Sequence, residues 1–192
     1  MIKDAFKRIL PAGVPVSYVT ALALWAVAEA NFWFVAPDFL LVPLAIFFPS
    51  QWFRIALTGW GASVAGGALY FALVSAGPTT AESILGHTPF VIPRMHEFVR
   101  SLYTSHGPWG GLAQSWSFMT LKVWTYEAVR AGFDFLPYYL IVSFSRIFRL
   151  FVVTWIAARL SRWVLPVWSK YPKITWVIYT AGFLAMLVVM EG

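Results

Sequence analysis

Residues 29–49, EANFWFVAPDFLLVPLAIFFP, limit what this chain can fold into more than any other stretch. The segment opens on a carboxylate, Glu29, at the end of a long apolar run, and a second, Asp38, follows nine residues later. Pro37, Pro43 and Pro49 punctuate it, and almost everything else is aromatic or aliphatic. Proline removes a backbone donor and breaks a helix, so the segment cannot be one regular membrane-crossing helix. It is too apolar for a loop in water. Irregular backbone at membrane depth survives only where protein or a wet cavity supplies its hydrogen bonds. A carboxylate carried there is costly and marks a functional site. The stretch therefore reads as a re-entrant hairpin bringing a polar site into a membrane.

Composition supports that setting. Of 192 residues, 60% are hydrophobic and only 11% charged, against about 25% charged in soluble domains. The expected class is an all-α integral membrane protein, folded as a single membrane domain over residues 1–192. The net charge of +6 lies mostly outside the apolar runs. It suits anionic lipid headgroups, and no nucleic-acid-binding signature accompanies it. The absence of cysteine excludes disulfides and thiolate chemistry and leaves the compartment undecided.

Taken in order, residues 1–10 fit an amphipathic segment lying in the interface, or else a frayed basic tail. Residues 9–28 carry no charge, and 20 residues of helix would cross the hydrocarbon. Residues 55–81 are again uncharged, with Gly59, Ser63 and Gly67 four apart. That spacing predicts a smooth face for close helix packing. Residues 78–109 read as a polar loop containing His87, His96 and His106, with a short interfacial helix over 94–103. The histidine spacings fit no compact zinc pattern, so neither a metal nor a cofactor is expected.

Residues 110–132 carry Gln114, Lys122, Glu127 and Arg130 in an otherwise apolar setting and form a second membrane-associated segment. Spacings of three and four predict local pairing of Glu127 with Arg130 and of Arg130 with Asp134. Farther on, Arg146 and Arg149 lie one helical turn apart in an apolar run, so both charges share a face and are expected to point inward. Residues 159–173 read as a basic loop, and 174–190 as a terminal transmembrane helix near the lower length limit.

These stretches together resemble the DedA superfamily, which carries the VTT (SNARE-associated) domain, and its short YqaA-like branch in particular. The family hairpin runs roughly E-x-x-x-x-P-x-P-P-D. EANFWFVAPD keeps Glu29, Pro37 and Asp38, with Phe34 and Ala36 where prolines are usual. TGWGASVAGGALY matches the glycine-rich helix that follows. SFMTLKVWT keeps Lys122, Val123 and Thr125 of a second hairpin motif, T-P-x-P-x-K-V-x-T. Arg146-Ile-Phe-Arg149 matches the paired arginines. The resemblance implies an inverted repeat of re-entrant hairpin plus transmembrane helix with flanking helices, the hairpins being 29–49 and 110–132. It also implies a bacterial inner (cytoplasmic) membrane and transport of a phosphate-bearing lipid, a polyprenyl phosphate or a phospholipid, between leaflets.

The expected site follows. Arg146, Arg149 and Lys122 would bind the anionic headgroup, since arginine's planar fork matches phosphate. Glu29 and Asp38 would exchange protons, because a carboxylate out of water protonates more easily. Glu127 and Arg130 form a possible secondary site. The partners are membrane lipids, and a homo-oligomer is compatible. The alternative is a non-transporting scaffold whose buried charges lock helix packing. An enzyme on lipid phosphates is not expected: no histidine follows His106, so a histidine nucleophile would lack its usual downstream partner.

Overall fold

A computed structural model describes residues 13–89, 91–117 and 119–189 of the chain. Residues 1–10, read above as interfacial, lie outside them. Among the described residues all regular structure is helical: α1 (Val16–Asn31), α2 (Asp38–Phe47), α3 (Trp52–Ala76), α4 (Pro78–Gly86), α5 (Pro93–His106), α6 (Leu121–Arg130), α7 (Phe135–Lys170) and α8 (Pro172–Val189). Short 3-10 turns occupy Pro49–Gln51 and Gly107–Ser115.

Among the described residues, two helices are long and apolar enough to cross a membrane: Pro49–Ala76, which joins the first 3-10 turn to α3, and α7. Only 39% of the most apolar window of each is buried. The core helix of a soluble protein hides most of its surface; here Leu57 and Leu69 on α3 and Phe144, Phe148 and Trp155 on α7 face outward. Such broad exposed apolar surface calls for a partner or a membrane. Each long helix is preceded by a break and a short helix. A helix (α1), a break and a short helix (α2) precede α3; a 3-10 turn, a break and a short helix (α6) precede α7.

Several boundaries differ from the sequence reading. The run 9–28 does not supply a full-length span, because Pro15 is extended and α1 begins only at Val16. Its 16 residues reach about 24 Å, short of the ~30 Å hydrocarbon core. Glu29 sits inside the last turn of α1 rather than opening a hairpin. The polar stretch 78–109 is no loop: it is α4 and α5, each with proline at its first position. Proline there loses no helical hydrogen bond and pre-sets φ, so these prolines start helices instead of interrupting a coil. The stretch 159–173 is likewise not a loop, since α7 continues to Lys170 and only Tyr171 separates it from α8. At 36 residues α7 extends about 54 Å, longer than the ~30 Å thickness of a hydrocarbon core. The terminal apolar stretch is helical, over Pro172–Val189.

Two close approaches hold the parts in register. α1 lies along α3, where a Cβ on Gly66 would stand 2.8 Å from Ala30 Cβ and 3.0 Å from Val27 Cα. Asn31 Nδ2 spans the same contact, donating to Val27 O at 2.8 Å and Gly66 O at 3.2 Å. The second is α6, whose side chains from Leu121 to Ala128 are all buried. A helix of ten residues enclosed on every side needs firm ends. Its C-terminus closes on Gly132 at φ 74°, with Phe133 N donating to Ala128 O and Gly132 N to Val129 O. This is the Schellman arrangement that left-handed glycine permits.

Candidate functional site

The two broken connections meet. The end of α1 and the start of α6 exchange groups across the contact. Lys122 Nζ, fully buried, donates to Glu29 O at 2.8 Å and Trp33 O at 2.6 Å. Glu29 O is in the last turn of α1, where the helix leaves its carbonyls without internal donors, and Trp33 O is in the break that follows. In return, the Glu29 carboxylate accepts from Leu121 N, at the first position of α6, at 3.3 Å. A cation at a helix C-terminus and an anion at a helix N-terminus are each favoured by the backbone dipole. Each short helix thus supplies the charge that the other's end prefers.

Arg146 completes this cluster from α7. Its Nη2 donates to Glu29 Oε2 at 3.2 Å and to Ser63 Oγ, on α3, at 3.3 Å. Both side chains of the ion pair are nearly buried, 6% and 3% exposed. Among the described residues, Arg146 Nε and Nη1 are buried and have no hydrogen-bond partner. A buried donor without a partner costs about 1–3 kcal/mol, so this guanidinium has capacity for a further acceptor.

One turn along α7, Arg149 Nη2 donates to Asp38 Oδ2 at 2.9 Å. Asp38 begins α2, where a carboxylate complements the helix N-terminus. Tyr179 on α8 closes the site from another side, its hydroxyl donating to Phe39 O at 3.0 Å and Asp38 O at 3.3 Å. There is a physical reason for that tyrosine. Pro43 lies inside α2 and has no N–H to give to the carbonyl four residues back. That carbonyl is Phe39 O, and Tyr179 supplies the missing donor. Beside the Asp38–Arg149 pair opens a cavity of about 280 Å³, walled by Val42, Phe148, Val152 and Phe183. The pair is the charged element of an otherwise mostly apolar chamber.

The structure therefore brings Glu29, Lys122 and Arg146 into one cluster and Asp38 and Arg149 into an adjacent one, with both arginines facing inward. Glu127 and Arg130 stand apart at the other end of α6. The local pairing expected for them is not formed. Glu127 is buried and turns toward α5, accepting from His96 Nδ1 at 2.8 Å and from Arg100 at 3.2 and 3.4 Å. Arg130 lies at the exposed end of the helix and reaches Tyr126, at 3.5 Å from its hydroxyl and 5.6 Å from its ring centre.

Ser63, Tyr179, His96 and Arg100 are contributors that sequence reasoning did not assign. Ser63 stood in the small-residue stripe and was read only as packing. The unsatisfied carbonyl implied by Pro43 signalled that some donor was needed, but not which one. Comparison with protein-family models, with characterised proteins and with solved structures finds no match to this chain.

Proposed function

We propose that this chain is a membrane lipid transporter, a divergent relative of the DedA superfamily, moving a phosphate-bearing lipid between the leaflets of a bacterial cytoplasmic membrane. In this reading α1–α2 and the 107–130 segment are re-entrant hairpins related as an inverted repeat, and their breaks form the polar crossing point. Broken helices meeting at mid-membrane are the architecture that secondary transporters use. The observation that carries the reading is the pair of arginine–carboxylate contacts on consecutive turns of α7, one opening onto a mostly apolar cavity. Arginine offers phosphate a bidentate fork, and the cavity's apolar wall suits an acyl or prenyl chain. Glu29 or Asp38 would take a proton as phosphate displaces it from its arginine.

A second reading draws on the same contacts. Both carboxylates are already matched by arginines, and Lys122 is engaged by backbone carbonyls. A scaffold that uses buried charge to fix helix packing would have these pairs closed. Reconstitution into liposomes, with translocation of a polyprenyl phosphate and of anionic phospholipids measured, separates the two. Transport predicts that Arg146→Lys and Arg149→Lys remain folded but translocate at least about tenfold more slowly, having lost the fork. It also predicts that Glu29→Gln loses pH dependence. A scaffold predicts no translocation by the parent and loss of folding in the variants. Wild-type rates in all three variants, with the parent's pH profile kept, would refute the transport mechanism.

A further inference from the structure

The C-terminal part of α7 carries a basic stretch that the contacts of Arg146 and Arg149 leave unused. Between residues 135 and 190 the chain has no aspartate or glutamate, while Arg159, Arg162, Lys170 and Lys173 are all exposed. Among the described residues none of these four pairs with a carboxylate. At about 100° per residue, Trp155, Arg159, Arg162, Trp163, Pro166 and Lys170 fall within an arc of roughly 100° on one side of the helix. Ala157, Ser161 and Trp168 are buried on the opposite side, where α2 and α8 pack. Between the two lies an exposed aliphatic flank of Ile156, Leu160 and Val167. Three of the cations lie over exposed rings. Arg162 Cζ is 4.0 Å from the centre of the Trp163 ring, Arg159 Cζ 5.3 Å from that of Trp155, and Lys170 Nζ 5.1 Å from that of Tyr171. A face that met only water would gain nothing from so much exposed aromatic and aliphatic surface beside its charges.

We infer that this face of α7, continued by Lys173 at the start of α8, is a binding surface for the anionic headgroups of bilayer phospholipids. Its positive charge, unmatched by any carboxylate, is complementary to them. Tryptophan and tyrosine beside the charges suit the boundary between headgroups and acyl chains, where such rings collect. The aliphatic flank then lies against the chains, as the apolar side of an interfacial helix does. A nucleic acid fits less well. Base stacking needs open ring faces, and Arg162 and Arg159 lie over those of Trp163 and Trp155. The surface begins about 15 Å of helix beyond Arg149, apart from the Asp38–Arg149 cavity. It rests on the membrane setting and not on transport, so it stands whether or not lipid crosses.

The chain has no cysteine, so a single introduced thiol carries a fluorophore to one chosen place. Val167→Cys puts it beside the basic face. Leu69→Cys is the reference: α3 runs antiparallel to α7, with Phe53 on Phe151 and Trp60 bonded to Ser143, so Leu69 lies toward the other end. Each labelled full-length protein is reconstituted into phosphatidylcholine vesicles. These contain an equal mole fraction of either phosphatidylglycerol or phosphatidylcholine brominated high on the acyl chains. At low salt, brominated phosphatidylglycerol should quench the probe at 167 more than brominated phosphatidylcholine does, and by a larger ratio than at 69. In about 1 M salt, where the screening length is about 3 Å, that excess should vanish. Each basic residue near an anionic surface is worth about fivefold in attraction, so Arg159→Gln with Arg162→Gln should cut the preference at 167 by about twofold or more. Both arginines are exposed, and the ratio at 69 should stay unchanged in the double variant, which separates loss of headgroup binding from loss of fold. Equal quenching by the two lipids at 167, a preference at 69 as large as that at 167, or a preference kept by the double variant would overturn the inference. So would the absence of quenching by either lipid at 167, which would put this face in water and leave it to a soluble polyanion.

Discussion

Gly66 and Gly61 lie five residues apart on α3, yet a single methyl group should act on them in opposite directions. A Cβ at Gly66 would sit 2.8 Å from Ala30 Cβ, 3.0 Å from Val27 Cα and 3.2 Å from Val27 O. Carbon pairs prefer about 3.5–4.0 Å, so α1 must withdraw by roughly 0.5–1 Å. Two of the three obstructing atoms are backbone and cannot turn aside. Overpacking of this kind costs about 1–3 kcal/mol. A Cβ at Gly61 meets nothing within 4 Å. Both changes gain the helix-propensity difference between glycine and alanine, up to about 1 kcal/mol, so it cancels when the variants are compared. Gly66→Ala should therefore be less stable than Gly61→Ala by about 1–3 kcal/mol. For a chain of this size that is several degrees of melting temperature. Thermal unfolding of the two purified proteins in one detergent, followed by tryptophan fluorescence, measures the difference. Withdrawal of α1 also carries Glu29 away from Arg146, now 3.2 Å apart. Gly66→Ala should accordingly lose the stabilisation that this pair gives. Equal melting temperatures for the two alanine variants would refute the close-approach argument.

Two further outcomes follow from the hydrogen bonds at the helix breaks. Tyr179→Phe should cost about 1 kcal/mol by leaving Phe39 O without its donor. In a Pro43→Ala background, where residue 43 regains an N–H for that carbonyl, the loss should shrink. Melting of the four proteins of this cycle gives the coupling directly. Lys122→Met keeps comparable length but abandons Glu29 O and Trp33 O, and should destabilise the fold by about 1–3 kcal/mol in the same assay.

How much of this was legible in the sequence depended on how few options each residue had. In a run as apolar as 133–158, a charge is expensive and its possible partners are few. Arg146 and Arg149 were therefore expected to point inward, and the structure joins them to Glu29 and Asp38 across more than a hundred residues. The small-residue stripe on α3 was legible for the same kind of reason, although the contact limited by backbone falls at Gly66, beside the stripe that spacing suggested. Where alternatives were cheap, sequence reasoning failed. Residues 78–86 read as part of a polar loop although Pro78 begins a helix there, because proline both ends and begins helices; the helix expected over 94–103 is present, within α5. Glu127 had Arg130 three residues away, but α6 is enclosed and turns Glu127 inward while Arg130 stays outside. Its partners come instead from α5. Local spacing predicts a pair only where the helix turns both side chains the same way, and here burial of α6 turns Glu127 away from Arg130.

That distinction also orders the central charges. Lys122 is fully buried and its ammonium group is held by two carbonyls, so its charge serves the junction of α1 and α6. A substrate reaching it would have to dismantle both helix ends. Arg146 is almost as enclosed, and its pair with Glu29 is 6% and 3% exposed. Arg149 and Asp38 are each 13% exposed and border the 280 Å³ cavity. In the transport reading the phosphate therefore meets Arg149 first, and Asp38 is the carboxylate it displaces. Arg146 becomes available only as Glu29 is released, and its two unpartnered donors then complete the fork. The order makes a kinetic distinction between two adjacent turns of one helix. Arg149→Lys should raise the lipid concentration needed for half-maximal translocation, whereas Arg146→Lys should lower the maximal rate. The reverse assignment in the liposome assay would place the entry of the headgroup on the Glu29 side and exclude this sequence of contacts.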